Sequence, residues 1–173
     1  MGDKVPKIIE NLESRLVEEA RRQAWEGGYS AVTIRSVAAA CGVGVGTVYN
    51  YFESKDALLA AFLLADWKDC LQAIEAAKDA RPEPEAVLQA MYQQLKYYSG
   101  AHRTIFGDQS AVKIFSGTMG AYHGILRDQL AQPLVSFCSD PFRAQFAAEA
   151  LLTWTMEGRS PEQLLPILLS LLQ

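Results

Sequence analysis

TIRSVAAACGVGVGTVYNYFESKDALL, residues 33–59, contains two short helical patterns, a glycine turn between them and the capped start of a longer helix. Ile34, Val37 and Ala38 give the first pattern an apolar face, with a small residue where a second helix must cross closely. Gly42 suits the turn, because glycine enters positive φ without a Cβ clash. Val43, Val48 and Tyr51 then recur at helical steps and place the second pattern's apolar side toward the first. Thr33 reads as the N-cap of the first helix and Ser54 as the N-cap of the long one, since a hydroxyl satisfies a free first-turn amide. This pattern implies a helix-turn-helix, whose second helix enters the major groove of DNA.

The presumed second helix, about 44–51, carries no charged side chain. Base reading would fall to Thr47, Tyr49 and Asn50, with Gly44, Val45 and Gly46 allowing close backbone approach. Asparagine can pair bidentately with adenine, and threonine or valine methyls suit the thymine methyl. Thr47 and Tyr49 can equally hold phosphate, which positions without specifying. Tyr51 falls on a core-facing step, so its ring is expected to pack while its hydroxyl reaches the DNA backbone. Arg35 can clamp a phosphate from the first helix. Thr33, Ser54 and Asn50 also have plainer readings, the first two as caps only and the third as a solvated residue.

Residues 45–59, VGTVYNYFESKDALL, resemble the TetR family of bacterial transcriptional regulators. In that family small-Gly-Thr-aliphatic-Tyr-x-Tyr-Phe-x-x-Lys is the core of the DNA-binding motif. Here Val45, Gly46, Thr47, Val48, Tyr49, Asn50, Tyr51, Phe52 and Lys55 hold those places. The resemblance implies that Lys55 contacts phosphate and that Thr33 does so besides capping. It covers roughly residues 8–62, and the remainder matches only in helical character and length.

Charge limits what kind of binder this can be. Residues 1–58 carry seven Lys/Arg against eight Asp/Glu, and the whole chain has a net charge of −4. A sequence-indifferent DNA coater needs a basic surface and counterion release. A selective reader needs only a local positive rim, for which Lys4, Lys7, Arg35 and Lys55 are available.

The rest of the chain reads as all-α, with about nine helices in total. A first helix over 5–27 carries Ile8, Leu12, Leu16 and Ala20 at four-residue steps, and Gly27-Gly28 closes it. The long helix from Ser54 reaches about Lys78. Pro84 opens the next, which Gly100 closes. Two helices are expected near 102–115 and 118–131. Asp140-Pro141 opens a helix to about Glu157, and the capping box Ser160-Pro-Glu-Gln163 opens the last. Residues 1–53 are expected to form the helix-turn-helix domain, and 54–173 a helical effector-binding and dimerisation domain.

Leu164, Leu165, Ile167, Leu168, Leu169, Leu171 and Leu172 surround the last helix, leaving it no polar face. The preceding helix carries Ala144, Ala147, Ala148 and Leu151, which permit close approach. The pair fits a patch that packs on its own copy through Ala144, Ala147, Ala148, Leu151, Leu164, Leu168 and Leu171. The alternative is that both helices complete a monomeric core. The family resemblance favours a homodimer built from these two helices.

The same resemblance implies a small, largely apolar effector bound in the helical body, releasing a repressor from a palindromic DNA operator. Candidate lining residues are Trp67, Tyr92, Phe106, Phe115, Met119, Tyr122 and Trp154. The alternative is a helix-turn-helix protein without an effector. No enzyme, cofactor or metal is expected. No glycine-rich phosphate loop follows a strand, no His–Glu metal spacing occurs, and Cys41, Cys70 and Cys138 lack ligand spacing. No signal-peptide pattern opens the chain and the apolar tail is too short to span a bilayer, so a cytoplasmic setting without membrane partners is expected.

Overall fold

Among the described residues, three helices and the start of a fourth build the first of two compact units, Met1–Leu64 and Ala65–Gln173. A computed structural model describes residues 11–108 and 123–173. Lys4, Lys7 and Ile8 therefore lie outside the described residues. So do Phe115, Met119 and Tyr122, and residues 109–122 of the stretch expected as two helices over 102–131. All regular secondary structure among the described residues is helical.

Helix α1 (Leu12–Ala31) buries Leu12, Leu16, Ala20 and Ala24, the four-residue stripe expected from the sequence. Gly28, with φ 74 and ψ −171, breaks the helical geometry before a last turn carrying Tyr29. That left-handed break is open to glycine at little cost. Helix α2 (Ile34–Cys41) is held to α1 at both ends. Ser36 Oγ donates to Gln23 Oε1 at 2.6 Å near its start, and Arg15 donates to the Cys41 carbonyl at 3.1 Å at its close. Helix α3 spans Val45–Tyr49, and α4 runs over Lys55–Ala80. Ser54 Oγ accepts from the Ala57 amide at 3.0 Å, the expected cap. Leu58, Leu59 and Phe62 of α4 are buried and belong to the first unit, which thus extends beyond the turn after α3 into the long helix.

In the second unit, α5 (Pro84–Ala101) begins at its predicted proline and continues one residue past Gly100. A short α6 (Arg103–Phe106) follows, residues 123–131 are helical (α7), and a 3-10 segment covers Gln132–Phe137. Helices α8 (Pro141–Met156) and α9 (Pro161–Leu172) both start as predicted. Asp140 accepts from the Phe142 amide at 2.9 Å, and Ser160 and Gln163 form the reciprocal capping box. Helix α5 packs against α8 and α9, and Val87, Leu88, Met91 and Leu95 meet Ala144, Ala147, Ala148, Leu151, Leu164 and Leu168 in one core.

That core corrects the expected dimer patch. Ala144, Ala147, Ala148 and Leu151 are fully buried within their own chain, Leu164 and Leu168 nearly so, and Leu171 is half-buried. Small residues on α8 do permit close approach, but the partner is α5 of the same protomer. A side chain already enclosed offers no area to a second copy. The apolar groups these helices leave exposed are Phe142, Phe146, Trp154, Met156 and Ile167. Phe142 and Phe146, one turn apart, lie with ring centroids 6.4 Å apart.

Candidate nucleic-acid interface

The turn between α2 and α3 is set by Gly42 at φ 70. The Val43 amide donates to the Ala38 carbonyl at 2.9 Å and the Gly42 amide to Ala39 at 3.1 Å. These two bonds make a Schellman end, which stops α2 and turns the chain sharply. Thr33 starts the same helix with a capping box. Its Oγ1 accepts from the Ser36 amide at 2.9 Å, while its own amide donates to Ser36 Oγ at 3.1 Å. A start at Thr33 and a stop at Gly42 thus fix the eight-residue supporting helix, and Gly44 is the N-cap position of α3.

Helix α3 points one residue inward. Val48 is completely buried, whereas Gly44, Val45, Gly46, Tyr49 and Asn50 are exposed and Thr47 is half-buried. Among the described residues, the polar side-chain groups of Thr47, Tyr49, Asn50 and Tyr51 have no hydrogen-bond partner within the protein. Four polar side chains in five residues are thus left open to solvent or to an external partner. Gly46 adds to it, because a Cβ there would meet nothing within 4 Å. Its backbone is therefore bare on the side away from the protein.

Tyr51 departs from the expected packing. It is 43% exposed, its ring outside the core. The cause is local: α3 ends at Tyr49, so the turn at residues 50–51 abandons the helical period that would have placed Tyr51 beside Val48. Phe52 takes the buried position instead. The outcome adds an aromatic hydroxyl to the exposed row.

Charge is concentrated at its two edges. Arg35, in the first turn of α2, is exposed and has no carboxylate partner among the described residues. Lys55 begins α4, with its ammonium 3.5 Å from the centre of the Tyr29 ring. Other arginines of the unit are engaged elsewhere. Arg22 bonds both Glu19 and Glu26, at 2.7 and 2.8 Å, and Arg21 bonds Glu18 at 2.6 Å. The Arg22 hydrogen bond holds the Glu19 carboxyl below the ordinary carboxylate range. These exposed pairs contribute little stability but cancel positive charge on the outer side of α1. Among the described residues of the unit, Arg35 and Lys55 are the positive groups beside the exposed row.

Of the expected effector residues, Trp67, Tyr92, Phe106 and Trp154 fall among the described residues. Trp67 is buried in the second unit and donates its indole N–H to Gln129 Oε1 at 2.8 Å. Phe106 is half-buried near Tyr98 and His102, at 6.2 and 5.9 Å between ring centroids. Tyr92 is buried but donates its hydroxyl to the Arg159 carbonyl at 2.9 Å, bracing the α8–α9 turn. Trp154 lies on the outer side of α8 under the Arg159 guanidinium, because the buried stripe through Ala144, Ala148, Leu151 and Thr155 occupies the inner side.

Sequence reasoning missed Asp66, Tyr98 and His102. His102 is almost wholly buried, with Nε2 3.1 Å from Asp66 Oδ2, and Tyr98 stacks edge-on between His102 and Trp67 at 4.6 and 5.4 Å. Burial, then the Asp66 charge, pushes the Tyr98 hydroxyl above its usual range. The four-residue spacing of Tyr98 and His102 was the available signal. Asp66 could be joined to them only through the fold.

Residues 16–62 match the family model described as bacterial regulatory proteins, tetR family. The chain is similar to the HTH-type transcriptional regulator Rv1816 of Mycobacterium tuberculosis, with 31% identity over 70 residues. That match covers 40% of this chain and 30% of the relative. A longer match, 28% identical over 120 residues, joins it to the HTH-type transcriptional repressor DhaR of Mycobacterium sp. strain GP1, covering 69% and 58%. The chain thus spans less than a third of the length of the mycobacterial regulator and somewhat over half of the repressor. Among solved structures, ligand-free RolR superposes with a TM-score of 0.65 and 22% identity over 92% of this chain and 88% of that one. At that identity the likeness shows a shared fold.

Proposed function

Since the chain belongs to the TetR family of bacterial regulatory proteins, we propose that it is a sequence-specific DNA-binding transcriptional regulator. It acts as a homodimer on a palindromic site, and repression is the expected sign. One observation carries the reading: α3 and the turn that follows it present Thr47, Tyr49, Asn50 and Tyr51 with no hydrogen bonds to the described residues, on a backbone left bare at Gly46. Arg35 and Lys55 flank this row and suit phosphate. Asn50 and Thr47 suit base edges. The first unit, which includes the start of α4 with Lys55, is the reading head, and the helical remainder carries dimerisation and control.

A small, largely apolar effector is the finer part of the proposal. The group of Asp66, Trp67, Tyr98, His102 and Phe106, in which Trp67 and His102 are buried and the others half-buried, supports it, since it joins apolar rings to a few placed polar atoms. Such a ligand would act through unequal affinity for two body conformations, one of them DNA-competent. The dimer would form through the exposed apolar groups of α8 and α9, around Phe146 and Ile167. The protein is read as a binder, not an enzyme. Among the described residues no helix is long and apolar enough to cross a membrane.

The test separates holding from reading. On a duplex selected from a randomised pool, Arg35→Ala and Lys55→Ala should weaken binding evenly across sequences, each lowering the salt slope by about one per subunit. Asn50→Ala should instead relax preference at one base position, by about 1–3 kcal/mol. Binding indifferent to all three changes would contradict the proposed interface.

A further inference from the structure

We propose that Tyr29 is a positioning residue for DNA binding: its ring seats the Lys55 ammonium, and its hydroxyl holds Asp56 in the same helical turn. The inference rests on the DNA-binding reading above and adds a residue that lies outside the helix-turn-helix motif.

A lysine in the first turn of α4 is not held there by helix electrostatics. The positive end of the helix dipole favours Asp56 and disfavours Lys55. The ammonium nevertheless lies 3.5 Å from the Tyr29 ring centre, well within the range of a cation–π contact. Tyr29 Oη donates to Asp56 Oδ1 at 2.8 Å. One side chain therefore grips two successive residues of α4, the cation by its face and the carboxylate by its tip. Its own place is fixed: Tyr29 is 7% exposed and follows the left-handed break at Gly28, which carries it out of the path of α1.

Two consequences follow for a bound phosphate. The lysine meets it already placed, so less side-chain freedom is lost on binding. The neighbouring carboxylate, which would repel phosphate, is engaged by the protein. Tyrosine is suited to this pair of tasks because it combines a π face with a hydroxyl donor.

A double-mutant cycle with Lys55 distinguishes positioning from mere core packing. The probe is a labelled duplex carrying the site selected from a randomised pool. Tyr29→Leu should weaken binding about two- to tenfold, and Tyr29→Phe, which keeps the ring, by less than about twofold. In a Lys55→Ala background, Tyr29→Leu should add nothing. Equal losses in both backgrounds would overturn the proposal while leaving the DNA-binding reading intact. A Lys55→Ala protein with unaltered affinity and salt slope would instead remove Lys55 from the interface, and with it the premise. Should Tyr29→Leu fail to fold, the wild-type protein decides by NMR. Upfield ring-current shifts of the Lys55 ε-methylene protons are expected in the free state, and unshifted resonances would overturn the contact.

Discussion

Ile167→Arg and Leu168→Arg, adjacent in α9, should fail in opposite ways. Leu168 is 2% exposed in the core shared with α5 and α8, whereas Ile167 is 63% exposed. An arginine at 168 buries an unpaired charge and removes a packed leucine, at a cost of about 4 kcal/mol or more. Against a total stability of roughly 5–15 kcal/mol, that lowers the melting temperature by roughly 10 °C or unfolds the chain. An arginine at 167 touches no core and should change stability by no more than about 0.5 kcal/mol. Its expected effect is on association: sedimentation should show a folded monomer, with DNA affinity lost along with the second reading head. A folded dimer with Ile167→Arg would remove α9 from the interface, and Phe146→Arg would then test α8 alone.

The second pair of changes lies on α3. Tyr49→Ala should leave melting within a degree or two, since the ring is 53% exposed and its hydroxyl has no partner in the protein. DNA binding should fall on the order of a hundredfold, because each dimer loses the contact twice. Gly46→Ala should separate stability from function more sharply. The added methyl meets nothing within 4 Å, and alanine is the better helix former by about 0.5–1 kcal/mol. The melting temperature should therefore rise by roughly 2 °C while affinity falls about tenfold, as the methyl enters the space reserved for the DNA backbone. If Gly46→Ala raised melting and left binding unchanged, close approach at that position would be wrong.

These tests follow the line between what the sequence showed and what packing decided. The ends of helices were legible because they depend on local chemistry. Thr33, Gly42, Ser54, Asp140 and Ser160 each mark a boundary through a hydrogen bond or dihedral that the residue itself dictates. The buried stripe of α1 was legible because its opposite face is charged. Helix α9 offered no such contrast: with leucines all round, only the fold could reveal that 164, 168 and 172 face inward and 167 outward. The alanines of α8 showed that something approaches closely, without saying whether it comes from the same chain. Tyr51 was misplaced because a helical period was carried two residues past the end of α3. His102 and Asp66 stand thirty-six positions apart in sequence and meet through tertiary packing.

The body cluster and the reading head are linked in sequence by α4, which begins at the proposed phosphate contact Lys55 and carries Asp66 and Trp67 farther along. A regulator that responds to a ligand needs an element biased by both sites. The long helix is the candidate, and substitutions at His102 that alter effector response without altering the unliganded DNA site would support it.

If two copies of this chain read DNA through α3, selection of bound duplexes from a fully randomised pool should enrich a palindrome. Its half-sites should be centred one helical turn apart or a multiple of it, about 34 Å for one turn. Tyr49→Ala should abolish the enrichment. Recovery of no preferred sequence, or of a single half-site bound by one chain, would contradict that reading.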